Sequence, residues 1–265
     1  METLRSFRGQ PGVSGMSRMR IAVGLIATLE LLGMGCEVAS EQAARGLMST
    51  AGTAEVNEAV RQGDRERVKR LVAQGAPVTP RNRFGVAPLH EAVFKGDLDM
   101  AQLLLSVGAE VNFRRFDGST ALHTAVGSAH LSMVKLLIER GADVNSHGGD
   151  YASPLWHSML RPSGRDKLAV AALLIQHGAD THYRHPKAIY AHCQTTPLHV
   201  AVFTLNFEAV NLLLANGADL RARDLQGRTP LACAQEHEQV HKGTDTPQIK
   251  KMIDLLSGYE RALQR

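Results

Sequence analysis

The sequence predicts an all-α solenoid: about six helix-turn-helix units stacked in a row and joined by β-hairpin-like fingers. Three observations predict it. Ala87-Pro-Leu-His leads to Gly108-Ala-Glu-Val-Asn112, and 33 residues further on Thr120-Ala-Leu-His leads to Gly141-Ala-Asp-Val-Asn145. A fixed period of this size marks one supersecondary unit stacked on copies of itself. Within each copy the apolar residues recur at helical spacing, as in Met100, Leu103 and Leu104 or Val134, Leu137 and Ile138. Each copy also closes on Gly-Ala, at Gly75, Gly108, Gly141, Gly178 and Gly217, where a left-handed glycine ends a helix.

The first helix of each unit starts at a Thr, Ser or Ala. Thr196 and Thr229 suit an N-cap, with Pro197 and Pro230 in the first helical position and Pro88 and Pro154 in the same slot. Leu89, Leu122, Leu155, Leu198 and Leu231 then open an apolar stripe, and Ala92, Ala125 and Ala201 let neighbouring helices approach. Heavier side chains on the second helix supply the rest of the core. These positions are packing, not a cofactor box.

The Thr-Pro-Leu-His-x-Ala pattern at this period resembles the ankyrin repeat. The resemblance implies a protein-binding module without built-in chemistry, and a structural role for His90, His123 and His199 in hydrogen bonds between repeats. Trp156 replaces that histidine once, which places the single tryptophan at a seam between units.

Six units are expected, at about 54–81, 82–114, 115–147, 148–190, 191–223 and 224–258, with a linker at 41–53 and a tail at 259–265. The first is worn: it lacks the Thr-Pro-Leu-His start and is crowded with charge from Arg61 to Arg70, as suits a capping unit whose outer side meets water. The fourth departs from the period. Ser153 to Gly178 is 25 residues where Ala87 to Gly108 is 21, and Gly178 to Thr196 is 18 where Gly108 to Thr120 is 12. The sixth stretches before a closing helix around Met252 to Leu256.

In a stack whose scaffold positions are fixed by packing, only the finger tips, the exposed ends of the inner helices and the insertions are free to carry information about a partner. There Arg83, Phe84, Arg114, Arg115 and Phe116 interleave guanidinium and aromatic groups on the fingers. Tyr151, His192, Leu225 and Arg228 stand at other finger positions, while Phe94 and Lys95, Leu160 and Arg161, and Phe203 and Thr204 line the concave side. This set fits a protein partner with an apolar centre ringed by acidic residues. The chain is read as a monomer that uses no cofactor. Its charge is nearly balanced, at +4 with a pI of 9.1, which excludes a general nucleic-acid polycation.

Residues 1–40 read as a leader. Arg18 and Arg20 precede the apolar run Ile21 to Gly35, and Val38-Ala-Ser40 suits signal-peptidase cleavage, so the mature chain is expected in the periplasm or outside the cell. Leu32-Gly-Met-Gly-Cys36 resembles a lipoprotein box with Gly33 where Leu is expected, which makes Cys36 a candidate lipid anchor. The run is too short, and too interrupted by Glu30, to span a membrane permanently. The alternative reading is an apolar helix over the first repeat or an unstructured extension, in a cytoplasmic protein.

Two other stretches bear on function. His237-Glu-Gln-Val-His241 matches H-E-x-x-H, which on a helix puts two imidazoles on one face for zinc with Glu238 as general base. That supports an alternative function, a zinc-dependent hydrolase, but the polar neighbours Gln235, Glu236, Gln239 and Lys242 lack the apolar shield a catalytic helix needs. His177, His182, His185 and His192 spread through the long fourth finger without ligand spacing. No metal site is assigned to either. Of the three cysteines, Cys193 and Cys233 are not expected to pair.

Overall fold

The computed structural model describes residues 52–79, 87–147, 153–160, 165–186, 195–240 and 246–264. Twelve helices are found among them, in six pairs. The pairs are α1 (52–62) with α2 (Arg65–Ala73), α3 (Pro88–Lys95) with α4 (Leu98–Ser106), and α5 (Ala121–Gly127) with α6 (Leu131–Glu139). They continue as α7 (Pro154–Met159) with α8 (Arg165–Gln176), α9 (Pro197–Phe203) with α10 (Phe207–Ala215), and α11 (Pro230–Val240) with α12 (Thr246–Leu263). The inner helices α3, α5, α7, α9 and α11 stack in order, with the outer helices behind them.

Local chemistry starts each helix where the sequence indicates. Thr196 Oγ1 accepts from the His199 N–H at 3.3 Å, Ser153 Oγ from Trp156 N–H at 3.3 Å and Thr229 Oγ1 from Ala232 N–H at 3.3 Å, each with proline next in the chain. Three of the outer helices start on a different cap. Asp64, Asp97 and Asn206 side chains accept from the N–H three residues on, at 2.8 to 3.0 Å. At the far end of each pair Gly75, Gly108, Gly141, Gly178 and Gly217 all have φ between 81° and 92°, the left-handed region that a side chain resists.

One apolar core runs the length of the stack, from Val56 to Leu256. Leu89, Leu122, Leu155 and Leu198 are buried from the inner helices, and Met100, Leu104, Val134, Leu137, Val210 and Leu213 from the outer ones. Trp156 is buried too, with its ring 5.1 Å from that of His185, so the tryptophan packs at a seam.

The finger bases are joined by an amide clasp. Asn112 Nδ2 donates to the Gly141 carbonyl at 2.9 Å while its Oδ1 accepts from the Asp143 N–H at 2.9 Å. One repeat later Asn145 does the same to Gly178 and Asp180, at 2.9 and 2.8 Å. An amide carries a donor and an acceptor side by side, so one asparagine satisfies two backbone groups of the next unit. Above the clasp, Arg114 and Arg184 hold the same register and donate to the carbonyls of His147 and Arg223 in the following finger.

The fingers are tight turns, and no strand forms among the described residues. One is closed by Arg115 N–H to Ser119 O at 2.9 Å, another by Asp224 N–H to Arg228 O at 2.9 Å, which is a single bridge and not a ladder. Two boundaries shift. Helix α1 already includes Gly52 and Thr53, and α12 continues to Leu263, so the divisions at 53 and 258 fall inside helices. Helix propensity in Tyr259-Glu-Arg-Ala-Leu263 carries the last helix on.

Cys233 is disulfide-bonded. Both other cysteines, Cys36 and Cys193, lie outside the described residues. The expectation that Cys193 and Cys233 do not pair therefore lies outside the described residues. No described helix is long and apolar enough to cross a membrane.

Candidate functional site

The seventh residue, counting from the first residue of each inner helix, occupies equivalent positions: Phe94, Gly127, Leu160, Phe203 and Glu236. Phe94 is 71% exposed, unusual for a phenylalanine on a folded surface, while Leu160 and Phe203 are half-buried. Phe203 stacks on His237 of the next repeat, with ring centroids 5.3 Å apart and planes 22° from parallel. The strip is not continuous. Gly127 interrupts it, and a Cβ there would stand 3.2 Å from His157 Cε1. The result is one isolated apolar projection at Phe94 and a second apolar patch at Leu160 and Phe203.

The fingers add two apolar tips at one register, Phe116 at 71% and Leu225 at 51% exposure. The Arg115 guanidinium carbon lies 6.0 Å from the Phe116 ring centre, within cation–π range, and its Nε is buried without a hydrogen bond. Phe113 turns inward, 6.2 Å edge-on to the His90 ring.

Several predicted cations are tied to the scaffold. Arg114 is joined to His147 as described, and Lys95 donates to the Arg61 carbonyl of the preceding repeat; the neutral Thr204 is likewise committed, its Oγ1 donating to Val200 O at 2.9 Å. Arg228 is the most committed. Its Nε meets Asp224 Oδ2 at 2.8 Å, Nη2 meets Gln226 Oε1 at 3.0 Å, and Nη1 pairs with Glu236. Asp224 is held below the usual carboxylate range by Arg228 and by backbone N–H groups, against the opposing pull of desolvation. This arrangement locks the last finger to α11. Arg83, Phe84, Tyr151, Arg161, His192 and Cys36 lie outside the described residues.

The structural histidines divide by their surroundings. His123 Nδ1 accepts from the Thr120 N–H at 3.2 Å and lies 2.9 Å from its hydroxyl, and His199 Nδ1 is 2.8 Å from the Thr196 hydroxyl. His90 has Ala87 where those repeats have threonine, and neither of its ring nitrogens finds a hydrogen bond. Burial, with a smaller push from Arg115, lowers its pKa to about 4, while the Ser119 carbonyl and Asp117 pull the other way.

His237 and Glu238 do lie on a helix, α11, as H-E-x-x-H requires, but His241 is outside the described residues. Among the described residues no group of three His, Cys, Asp or Glu side chains is placed to hold a metal ion.

A sequence profile of ankyrin repeats, three copies long, matches residues 56–147 and 160–242. The chain belongs to the ankyrin-repeat family. Ankyrin repeats are protein-interaction modules, and the family is generally non-enzymatic. The chain is also similar to Ankyrin repeat and SOCS box protein 6 from Mus musculus, 33% identical over 111 residues. That match covers 42% of this chain and 24% of the relative, so the chain spans about a quarter of that protein's length.

Sequence reading missed Arg184, Arg221 and Arg223, which gather on the last two fingers. The signal was present: the asparagine of the clasp, kept at Asn112 and Asn145, becomes His182 and then Arg221.

Proposed function

We propose that this ankyrin-repeat chain is a non-enzymatic binding module that takes a protein partner on its concave side and finger tips. The observation that carries the reading is the exposure of Phe94, Phe116 and Leu225 on positions that packing does not fix. Large apolar groups left in water, with arginine nearby, are the composition of interface hot spots. Arg115, half-buried beside Phe116, supplies a rim cation for an acidic border on the partner. The module acts by burying these anchors. It performs no covalent step and works as a monomer.

The test is capture by the full chain followed by comparison of variants. Phe94→Ala and Phe203→Ala should weaken capture by about 1 to 3 kcal/mol each, and Arg115→Ala should mainly slow association and reduce its salt dependence. Gln102→Ala, exposed on α4, should leave binding unchanged. Loss of capture in Gln102→Ala alone, with the other variants binding normally, would sink the concave-face reading.

The leader motifs support a mature protein outside the cytoplasm, with Cys36 as a candidate lipid anchor. Arg18 and Arg20 ahead of the apolar run support it, as does the disulfide at Cys233, since such bonds persist in oxidising compartments. Mass spectrometry of the chain made in a bacterium should find an N-terminus at Cys36 or just after Ser40. Recovery of intact residues 1–265 from the cytosol would instead favour a cytoplasmic protein.

A further inference from the structure

The amide clasp that joins successive finger bases is reduced to one bond at the first seam, where Thr79 Oγ1 accepts from the Glu110 N–H at 3.1 Å, and is missing at the fourth. At the fourth repeat its register is held by His182, and among the described residues no pair of bonds joins that side chain to Gly217 and Asp219 as Asn145 is joined to Gly178 and Asp180. The reason is chemical. An imidazole carries its two nitrogens on different edges of the ring, so it cannot offer a donor and an acceptor side by side to one peptide.

Where the clasp is missing a cleft of about 310 Å³ opens between the two fingers, lined by Thr181, His182, Arg184, Asp219, Arg221 and Arg223 among others. Three guanidinium groups against the single carboxylate of Asp219 leave an excess of two positive charges. The arginines are exposed and partly held in place. Arg184 Nη2 donates to the Arg223 carbonyl at 2.6 Å, and Arg223 Nη1 donates to the Gly227 carbonyl at 2.8 Å. Neutral acceptors position a guanidinium without cancelling its charge, and each fork keeps further donors. Asp219 is occupied locally, since its Oδ1 accepts from the Arg221 N–H at 2.8 Å.

We propose that this cleft receives a carboxylate-bearing segment of the protein partner, with Asp or Glu side chains gripped by Arg184, Arg221 and Arg223. Arginine forks match carboxylates in pairs, and the small cleft suits one or two acidic side chains better than a nucleic-acid backbone. The nearly balanced charge of the chain points the same way. The inference rests on the protein-binding reading above and names the partner chemistry at one end of the stack.

The experiment is fluorescence anisotropy of a labelled hexaglutamate peptide against the full chain, in about 0.15 M salt. Saturable binding is expected, and Arg184→Gln with Arg221→Gln should weaken it at least about tenfold. His182→Asn keeps every arginine but supplies the amide that the clasp needs. It should close the cleft, weaken the peptide by about tenfold and raise Tm. Arg70→Gln on α2 removes the same unit of charge elsewhere and should change nothing. Peptide binding in His182→Asn equal to that of the native chain overturns the proposal. So does equal weakening by Arg70→Gln and by Arg221→Gln alone, or preferential binding of a single-stranded oligonucleotide, which would assign the arginines to phosphates. Normal peptide behaviour together with unimpaired partner capture by Phe94→Ala and Phe203→Ala would leave the cleft standing and remove only the concave-face reading.

Discussion

His199 Nε2 lies 3.2 Å from the carbonyl oxygen of Arg228, tying an inner helix of the fifth repeat to the finger of the sixth. The carbonyl can only accept, so Nε2 carries the proton. Nδ1 is then the acceptor for the Thr196 hydroxyl, 2.8 Å away. One neutral tautomer thus serves both the cap of its own helix and the seam to the next repeat, in a side chain with 0% exposure.

Removing that imidazole should be felt well beyond its size. His199→Ala leaves the Arg228 carbonyl and the Thr196 hydroxyl without their partner and opens a cavity, for a loss of roughly 2 to 4 kcal/mol. Urea unfolding followed by circular dichroism would read it. A change below about half a kcal/mol would show that the bond contributes nothing net.

His90 predicts acid sensitivity. Its pKa is lowered from 6.5 to about 4 in the folded chain by burial and Arg115, so the unfolded chain binds the proton first. The contribution is complete above about pH 6.5 and is lost as pH falls towards 4, at about 1.4 kcal/mol per unit within that window. Native protein should therefore lose roughly 2 kcal/mol between pH 6.5 and 5, and His90→Leu should flatten the slope. Parallel slopes for the two proteins would show that other groups govern the acid limb.

The repeat was legible because packing repeats the same demand at the same register: Leu at 89, 122, 155 and 198, glycine at 108, 141, 178 and 217. Caps and prolines marked the helix starts for the same local reason. The candidate site was only partly legible. Phe94 and Phe116 were visible as apolar residues at unconstrained positions, but nothing in the one-dimensional pattern says that Arg228 is bound to Asp224 and Glu236, or that Gly127 divides the concave strip. Those facts depend on which neighbour the next repeat presents.

Asn145 offers a direct measure of the clasp. Asn145→Ala deletes two bonds to backbone groups that water can partly reach, and should cost about 1 to 2 kcal/mol. Thermal unfolding of the variant checks this. An unchanged Tm would mean that water replaces the amide at no cost.

Ala129 has φ of 56°, at the register where α3 ends on the left-handed Gly96. The alanine methyl is strained there, so Ala129→Gly should stabilise the chain by roughly 0.5 to 1 kcal/mol despite glycine's larger unfolded entropy. Gly96→Ala should do the reverse and more strongly, because its added Cβ would sit 2.9 Å from His130 Cε1. Denaturant midpoints of both variants decide the matter.

A stack of units in series transmits tension through every junction in turn, so its strength under load is that of its weakest joint. At the His182 junction the finger bases lack the amide pair and meet through Arg184, a long side chain on a single donor contact to the next finger, while the helices behind them are held by packing and by Thr204 Oγ1 to Met159 O at 3.4 Å. Pulled from its two ends, the array should part there first, releasing the fifth and sixth repeats as one block from the four that precede them. A partner that bridges the same joint would then act as a brace, and the molecule would yield at a higher force when occupied than when empty.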